Sequence, residues 1–238
     1  MTKTIIVTGA SRGIGLAVAR YLIEASHNVI LLARSDAPLQ ELKSKYPQQV
    51  RVIAADLSDA AVAERTVSST LAGGQIDGLV LNHGTLEPVT RVADGSIETW
   101  KRGFDVNFFS AVAWVTAALP ALRRSKGRII FTSSGAAINA YTGWGAYGAS
   151  KAAINHLALT LGAEEPSVTC IAIRPGVVDT EMQREIREVH GPRMQEQDVA
   201  RFHKLHEEGG LLRPEQPGHV IAKLAVDGPK ELSGRFLR

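Results

Sequence analysis

The stretch from Ile5 to Gly15, IIVTGASRGIG, joins a short apolar run to a turn that contains three glycines. The apolar run is typical of a buried strand, and a segment of helical periodicity, GIGLAVARYLIEA, follows it. Glycines in such a turn let the backbone approach a pyrophosphate closely, and the helix beginning there offers unpaired N–H groups and a partial positive charge. The stretch therefore predicts a strand, a dinucleotide-binding turn and a helix, although its spacing, G-x-x-x-G-x-G, differs from the G-x-G-x-x-G fingerprint.

Further apolar, β-branched runs follow along the chain, with helical segments between them. After the first run at 4–8 they span residues 28–33, 50–55, 77–82, 127–133, 168–174 and 233–237. Strands that alternate with helices indicate βαβ units and a parallel sheet, and continuously apolar strands indicate helices on both faces. We therefore predict one α/β domain over residues 1–238, with a Rossmann-type, doubly wound sheet of seven parallel strands.

The stretch 180–214 differs from the rest of the chain. It is polar, rich in Glu, Arg, Gln and His, and it is bracketed by Pro175-Gly176 and Gly209-Gly210. It predicts two short amphipathic helices on the surface, and a polar excursion of this length between two strands favours a lid over a substrate site. The alternative is a surface insertion without a function.

Composition and charge exclude several classes of protein. The formal net charge is only +3, and the one basic cluster, residues 123–128, is typical of a solvated helix end rather than a nucleic-acid site. The single cysteine, Cys170, lies in an apolar run and predicts a buried thiol. No apolar run reaches the roughly 18 residues of a membrane span, and no histidine spacing indicates a metal site. These features favour a soluble, cytoplasmic protein that binds neither nucleic acid nor membranes.

The residues after the second predicted strand indicate which dinucleotide binds. An acidic residue there accepts hydrogen bonds from the adenosine ribose and repels a 2′-phosphate, whereas this chain has Arg34 and no acid before Asp36. Arg12 lies in the glycine-rich turn, and two guanidinium groups suit a phosphate. We therefore predict NADP(H) as the cofactor, and Asp36 is the one feature that favours NAD.

Tyr147 and Lys151 lie one helical turn apart in the stretch AYGASKAAINH and share one face of it. A phenol has an ordinary pKa near ~10, and an ammonium beside it lowers that pKa. The pair suits a general acid that protonates a carbonyl oxygen while a hydride reaches the carbon. Ser134 ends the fifth predicted strand, where a parallel sheet binds ligands. Asn107 interrupts a helical run, which indicates a purpose beyond helix formation.

In this order, and over essentially the whole chain, these motifs resemble the classical short-chain dehydrogenase/reductase family. The resemblance implies that Tyr147 is the general acid/base and that Lys151 lowers its pKa and binds the nicotinamide ribose. It implies that Ser134, with Ser133 as the neighbouring candidate, orients the carbonyl and that Asn107 supports a proton relay. The implied cofactor contacts are Gly9, Ser11, Arg12, Gly13, Ile14 and Gly15, Arg34, Asp56, Leu57, Asn82 and Gly84, Tyr147 and Lys151, and Pro175, Gly176, Val178 and Thr180.

Shorter stretches narrow the resemblance. DTEMQREIRE and GWGAYGASKAAINH are similar to the sepiapterin reductase branch and its fungal benzil reductases, which form (S)-benzoin. His83 stands where the family usually has alanine; it is either a tolerated side chain or a third proton carrier. Tyr141 and Trp144 are either packing residues or an aromatic rim that suits a bulky apolar substrate.

The function that these features predict is NADPH-dependent reduction of a hydrophobic ketone or 1,2-diketone of the benzil type, with tyrosine as general acid. The alternatives are an alcohol or polyol dehydrogenase, a sepiapterin-type reductase, and a protein that senses NADP(H) without turnover. The predicted helices that carry Asn107 and Tyr147 are apolar around much of their circumference, so their outer faces need a partner. Family resemblance implies that they form a homodimer.

Overall fold

Seven strands form the sheet, in a computed structural model that describes residues 1–238. They are β1 (Thr4–Thr8), β2 (Asn28–Ala33), β3 (Val50–Ala54), β4 (Gly78–Leu81), β5 (Arg128–Thr132), β6 (Thr169–Ile173) and β7 (Phe236–Leu237). Each strand lies within the run predicted for it. All neighbouring pairs are parallel, in the order β3-β2-β1-β4-β5-β6-β7. The doubly wound parallel sheet is thereby confirmed.

The helices occupy the segments between the strands. They are α1 (Gly13–Glu24), α2 (Ala37–Lys45), α3 (Ala60–Leu71), α4 (Ile97–Phe104), α5 (Ser110–Ser125), α6 (Gly145–Glu164), α7 (Glu181–Glu185), α8 (Glu196–Glu207) and α9 (Glu215–Asp227). Side-chain oxygens cap some of them, since Asp59 accepts from the N–H of Ala61 at the start of α3 and Ser96 accepts from Thr99 in α4. The start of α1, directly after the glycine-rich turn, has no such cap.

The strand order reverses beside β1. The chain first adds β2 and β3 on one side and then crosses over to place β4 to β7 on the other. At such a point the connections leave neighbouring strands in opposite directions, and a crevice opens at their carboxyl ends. The candidate residues that follow β1, β4 and β5 therefore lie at one edge of the sheet.

Helices cover both faces of the sheet, so each strand contributes side chains to two hydrophobic cores. On one face Ile6 and Phe131 are fully buried with Trp114 of α5. On the other face Val7 is fully buried with Leu22 of α1. Burying one such side chain stabilises the fold by about 1.5–3 kcal/mol. These two cores hold the strand ends that carry the candidate site in fixed positions.

The helices α4 and α5 form one continuous helix, Ile97–Ser125, through a π-helical turn at Asp105–Phe109. By length and composition this helix is apolar enough to cross a membrane. The expectation that no apolar run is long enough is therefore wrong. The physical reason lies in its packing, because α5 is a core helix whose Trp114 and Leu122 are fully buried on the sheet.

The segment 180–214 contains two helices, as its periodicity predicts. A π-helical turn, Ile186–His190, extends α7, and α8 follows after a short 3₁₀ turn. Although the segment is polar, Ile186 and Phe202 are buried. It therefore rests on the rest of the protein through a few apolar side chains; its action as a lid stays a prediction.

Candidate active site

Ser134, Tyr147, Lys151 and Asn107 come from three separate elements and meet near the carboxyl ends of β4 and β5. Ser134 follows β5, Tyr147 and Lys151 lie one turn apart in α6, and Asn107 lies in the π-helical turn before α5. A Cβ atom on Gly84, just after β4, would lie 3.0 Å from Asn107 Oδ1 and 3.5 Å from Lys151 Nζ. The structure brings the four predicted catalytic residues together, and their individual roles stay predictions.

Lys151 is a buried ammonium with one acceptor in the protein. The residue is 5% exposed, and its Nζ donates to the carbonyl oxygen of Thr132 at 2.8 Å. Burial, with no acidic group to offset it, lowers the pKa of Lys151 to about 8. An ammonium has three N–H donors, so two remain for a bound molecule.

Tyr147 lies beside Lys151, and its phenol is also buried. Burial raises the pKa of Tyr147 above its usual value, and the Ser134 side chain opposes this rise. The sequence led us to expect a lowered pKa from Lys151, whose Nζ lies 5.8 Å from the centre of the phenol ring. That expectation is wrong, because removal of the phenol from water is the dominant effect on the pKa of Tyr147. Tyr147 therefore keeps its proton at neutral pH and can donate it.

The two neighbouring serines have different partners. Ser133 is 2% exposed, and its hydroxyl donates to Asn155 Oδ1 at 2.6 Å, on α6. Ser134 Oγ accepts from the N–H of Ala136 at 3.1 Å and keeps its own proton for another acceptor. The hydroxyl of Ser134 is thus the one available to a substrate oxygen, which agrees with the choice of Ser134 over Ser133.

Asn107 is held by the loop that follows β4. Its Oδ1 accepts from the N–H of Thr85 at 2.8 Å, and its Nδ2 donates to the carbonyl oxygen of Thr85 at 2.9 Å and to Ser150 Oγ at 3.2 Å. The side chain therefore ties the loop after β4 to α6. Single π-helical turns inside α-helices are frequent at functional sites, and this one explains why a polar residue interrupts an apolar helix.

His83 lies under the glycine-rich turn, between two hydroxyl groups. Its Nδ1 lies 2.8 Å from Thr8 Oγ1, and its Nε2 lies 2.8 Å from Ser110 Oγ. Burial lowers the pKa of His83 to about 3, and the charge of Lys151 adds to the effect. A neutral imidazole held from both sides joins β1 to α5. The structure favours a structural role over that of a third proton carrier.

The glycine-rich turn is too tightly packed to hold side chains. Gly9 has a φ of 64°, which favours glycine, and a Cβ atom there would lie 2.9 Å from His83 Cα. A Cβ on Gly15 would overlap the carbonyl oxygen of Gly9. The Asn82 side chain donates to that oxygen at 3.2 Å and accepts from Thr132 Oγ1 at 3.1 Å. Asn82 thus holds the turn in place.

The turn and the start of α1 fit a dinucleotide. Because no side chain caps the helix, its first N–H groups are free to bind a pyrophosphate. Ser11 lies in this turn and Ile14 at the start of α1, and a Cβ on Gly13 would lie 3.1 Å from the methyl carbon of Thr180. The predicted contacts at 9–15 and at 175–180, which are far apart in the sequence, are therefore neighbours in space.

The connection from β6 to α7 supplies the remaining predicted cofactor contacts. Gly176 has a φ of 87°, and Val178 is buried. Thr180 begins α7, and its hydroxyl accepts from the N–H of Gln183 at 3.4 Å. Pro175 precedes these residues at the carboxyl end of the sheet.

Arg12 lies in the turn on the side that faces α7, whereas Arg34 and Asp56 follow β2 and β3. Arg34 is exposed and forms no ion pair, whereas Arg12 Nη2 lies 4.0 Å from Glu185 Oε1. Hydrogen bonds from Ser58 hold the pKa of Asp56 below its usual range, and the charge of Arg34 contributes. Both guanidinium groups are thus accessible.

Two further predicted residues lie near this edge of the sheet. Asp36, at the start of α2, accepts from Gln40 Nε2 at 3.3 Å. Leu57 is buried.

An apolar cluster surrounds the phenol of Tyr147. Its buried members are Leu86, Val89, Ala136, Trp144, Tyr147, Ile186 and Phe202, and Tyr141, Val177, Met182, Met194 and Leu205 pack against them. The Trp144 ring lies perpendicular to that of Tyr147, with 6.0 Å between centres, and stacks on Phe202 at 5.7 Å. Trp144 and Tyr141 therefore pack inside the protein and also line the surroundings of Tyr147.

Sequence reasoning missed several residues that build this site. Thr132 and Thr85 act through backbone groups, which no side-chain pattern reveals. Ser110, at the start of the apolar helix α5, holds His83 through its hydroxyl. Phe202 had a signal, because it is a lone aromatic residue in a polar stretch, and such a residue usually has a burial partner.

Comparison with known proteins gives matches over the full length of the chain. The family model described as short chain dehydrogenase matches residues 3–191. The chain is 43% identical over 254 residues to benzil reductase ((S)-benzoin forming) of Saccharomyces cerevisiae, covering 100% of this chain and 96% of that protein. It is also 43% identical over 242 residues to an uncharacterized oxidoreductase of the same yeast, covering 100% and 95% of the two chains.

A solved structure is similar over the same length. The crystal structure of a short chain dehydrogenase/reductase from Saccharomyces cerevisiae superposes with a TM-score of 0.96 at 43% identity, covering 99% of this chain and 95% of that one. The order of the strands thus belongs to a fold already known from experiment.

Proposed function

The chain belongs to the short-chain dehydrogenase family of oxidoreductases, which use a nicotinamide cofactor, and from this premise we propose that it is an NADPH-dependent carbonyl reductase. The proposed substrates are hydrophobic ketones and 1,2-diketones of the benzil type. The observation that carries the proposal is the juxtaposition of a protonated, buried phenol at Tyr147 with the Lys151 ammonium, inside an apolar cluster.

The residues that would hold the cofactor are the glycine-rich turn, the start of α1 and Lys151. Free N–H groups at the helix start bind the pyrophosphate, and the two unused donors of Lys151 suit ribose hydroxyls. When bound, a reduced nicotinamide supplies the hydride that reaches the carbonyl carbon.

The chain's own residues then act on the carbonyl oxygen. Ser134 donates a hydrogen bond to it and so fixes its position. Tyr147 transfers its phenolic proton to that oxygen as the carbonyl carbon becomes tetrahedral, so the C=O double bond becomes a CH–OH group. Lys151 stabilises the phenolate that remains on Tyr147, because opposite charges attract strongly in a buried site. The stacked rings of Trp144 and Phe202 place apolar surface beside the phenol.

The preference for NADP(H) rests on Arg34 and Arg12. Both are exposed beside the turn, and no acidic residue immediately follows β2. Asp36, the feature that favours NAD, lies at the start of α2 and is engaged with Gln40. Two guanidinium groups bind a 2′-phosphate through charge-assisted hydrogen bonds, which are about twice as strong as neutral ones.

The test is to measure oxidation of NADPH and of NADH with benzil, other 1,2-diketones, simple ketones and sepiapterin. We expect turnover with NADPH on the diketones, and Arg34→Ala should lower kcat/KM for NADPH by about 10- to 100-fold while leaving NADH unchanged. Arg20→Ala, an exposed arginine of α1, is the matched control. A preference for NADH would contradict the cofactor assignment. Tight NADPH binding without turnover would favour the sensing function, and turnover only of alcohols with NADP⁺ would favour a dehydrogenase.

We also propose a homodimer, because apolar side chains remain exposed on the outer faces of the helices around the site. Phe109, at the end of the π-helical turn before α5, and Leu159 of α6 are each 55% exposed. Large apolar side chains on two adjacent helices are typical of an interface. Light scattering should give twice the chain mass of 25.5 kDa, and Phe109→Glu with Leu159→Glu should give the monomer; a monomeric wild type would contradict the proposal.

A further inference from the structure

Trp144 carries a buried donor that nothing in the protein accepts. The residue is 6% exposed, and its indole Nε1–H has no hydrogen-bond partner. Buried tryptophan N–H groups usually find a partner, and an exception in a native structure calls for an explanation. An acceptor on a bound molecule supplies one.

The indole is held firmly beside the proposed proton donor. Its ring lies perpendicular to the Tyr147 ring at 6.0 Å, stacks on Phe202 at 5.7 Å and lies 4.7 Å from the Tyr141 ring. The backbone is fixed as well, because the carbonyl oxygen of Trp144 accepts from the N–H of Gly148 at 2.8 Å. The unpaired donor therefore belongs to a rigid group next to Tyr147.

Three other buried side-chain nitrogens lack a partner, and none of them belongs to a ring that pairs with the ring of Tyr147. Trp114 Nε1 belongs to α5 and is fully buried in the core. Arg128 Nε is part of a guanidinium group that forms an ion pair with Asp227 at the surface. His190 Nδ1 lies 3.9 Å from Glu87 Oε1. Of this group, Trp144 is the one in contact with the ring of Tyr147.

We propose that Trp144 selects 1,2-diketones by donating its Nε1–H to the second carbonyl oxygen, while Tyr147 and Ser134 hold the first. The proposal rests on the proposed function of this site. A second oxygen on the carbon next to the reacting carbonyl is the acceptor that a diketone has and a simple ketone lacks. Apolar side chains pack around the Tyr147 ring, with Lys151 as the charged neighbour. These apolar side chains suit hydrocarbon groups on both carbonyls.

Benzil and deoxybenzoin form a matched pair of substrates, because they differ only in that a CH₂ group replaces the second carbonyl. Deoxybenzoin leaves the Trp144 donor unpaired, and sites built to hydrogen-bond a substrate group discriminate strongly against the analogue without it. Benzil is also intrinsically the more reactive ketone. The informative quantity is therefore the change in the benzil-to-deoxybenzoin ratio between variants.

The experiment replaces Trp144 by 3-benzothienylalanine, which keeps the bicyclic ring and has sulfur in place of the N–H, and compares it with Trp144→Phe. Trp100→Phe, a tryptophan of the neighbouring helix α4, is the matched control. For each protein, kcat/KM and the dissociation constant in the presence of NADP⁺ are measured with both compounds. We expect the benzil-to-deoxybenzoin ratio to fall by about 10- to 100-fold in both variants at Trp144 and to stay constant in the control.

If the variants at Trp144 lose activity equally on both compounds, or lose none, the benzil-to-deoxybenzoin ratio does not change. Trp144 then has a packing role only, and the inference is overturned. If benzil binds selectively through Trp144 but is not turned over, the inference stands and the proposed reductase function fails. If benzil is reduced with a ratio that does not depend on Trp144, the function stands and the inference fails. Absence of benzil binding would overturn both.

Discussion

Tyr147→Phe is expected to lower kcat/KM for the carbonyl substrate by about 10²- to 10⁴-fold, the range that general acid catalysis contributes. This corresponds to about 3–5 kcal/mol of transition-state stabilisation. The loss follows from chemistry alone, because phenylalanine keeps the ring that packs perpendicular to Trp144 at 6.0 Å and removes only the hydroxyl that donates the proton. Steady-state NADPH oxidation with a diketone measures the effect.

The control for this variant is Tyr46→Phe, which removes a hydroxyl from a tyrosine at the end of α2, remote from the site. Its rate should equal that of the wild type. The dissociation constant of NADPH, measured by the fluorescence of the cofactor, should change little in Tyr147→Phe. If Tyr147→Phe folds, binds NADPH and retains activity within tenfold of the wild type, another group supplies the proton and the assignment of Tyr147 is wrong.

Lys151→Met is expected to lower kcat/KM by about 10²- to 10³-fold, the effect of losing one preorganised electrostatic group. Methionine has a similar length and no charge, so the variant removes the cation 5.8 Å from the Tyr147 ring without opening a large cavity. NADPH should also bind more weakly, because the ammonium has two donors that the protein does not use. Lys223→Met, an exposed lysine of α9, is the matched control.

The same lysine predicts the pH dependence of activity. Burial lowers the pKa of Lys151 from 10.5 to about 8, so kcat/KM of the wild type should fall above about pH 8 as the ammonium loses its proton. Lys151→Met has no such group, and its residual activity should lack this limb. A wild-type profile that stays flat to pH 10 would contradict the role assigned to the ammonium.

The contribution of Lys151 to the free energy of unfolding should rise with pH over the range in which activity falls. Because its pKa is lowered on folding, Lys151 binds fewer protons in the folded than in the unfolded chain between about pH 8 and 10.5. Its contribution to the free energy of unfolding therefore rises with pH across that window. At neutral pH the buried charge costs about 3 kcal/mol, against about 1–3 kcal/mol for leaving the Thr132 oxygen without its donor. Urea unfolding of Lys151→Met should thus show a midpoint equal to or above that of the wild type.

A local pattern in the sequence was enough to predict the fold. Continuous apolar runs at regular intervals, a glycine-rich turn after the first of them and helical periodicity between them have few physical solutions. All seven strands formed where these runs lie. Tyr147 and Lys151 could be paired for the same reason, because residues four apart on a helix share a face whatever the rest of the protein does.

Tertiary packing determined those features of the site that no local sequence pattern predicts. Whether Ser133 or Ser134 keeps a free hydroxyl depends on Asn155, which lies on α6, is remote in sequence and accepts from Ser133. The pKa of Tyr147 is raised rather than lowered because burial is a property of the assembled site and exceeds the opposing effect of the Ser134 side chain. Phe202 meets Trp144 only once the polar segment folds back over the sheet. Spacing along a helix or strand is a short-range property of the backbone, whereas burial and unpaired donors depend on every element that packs around a side chain.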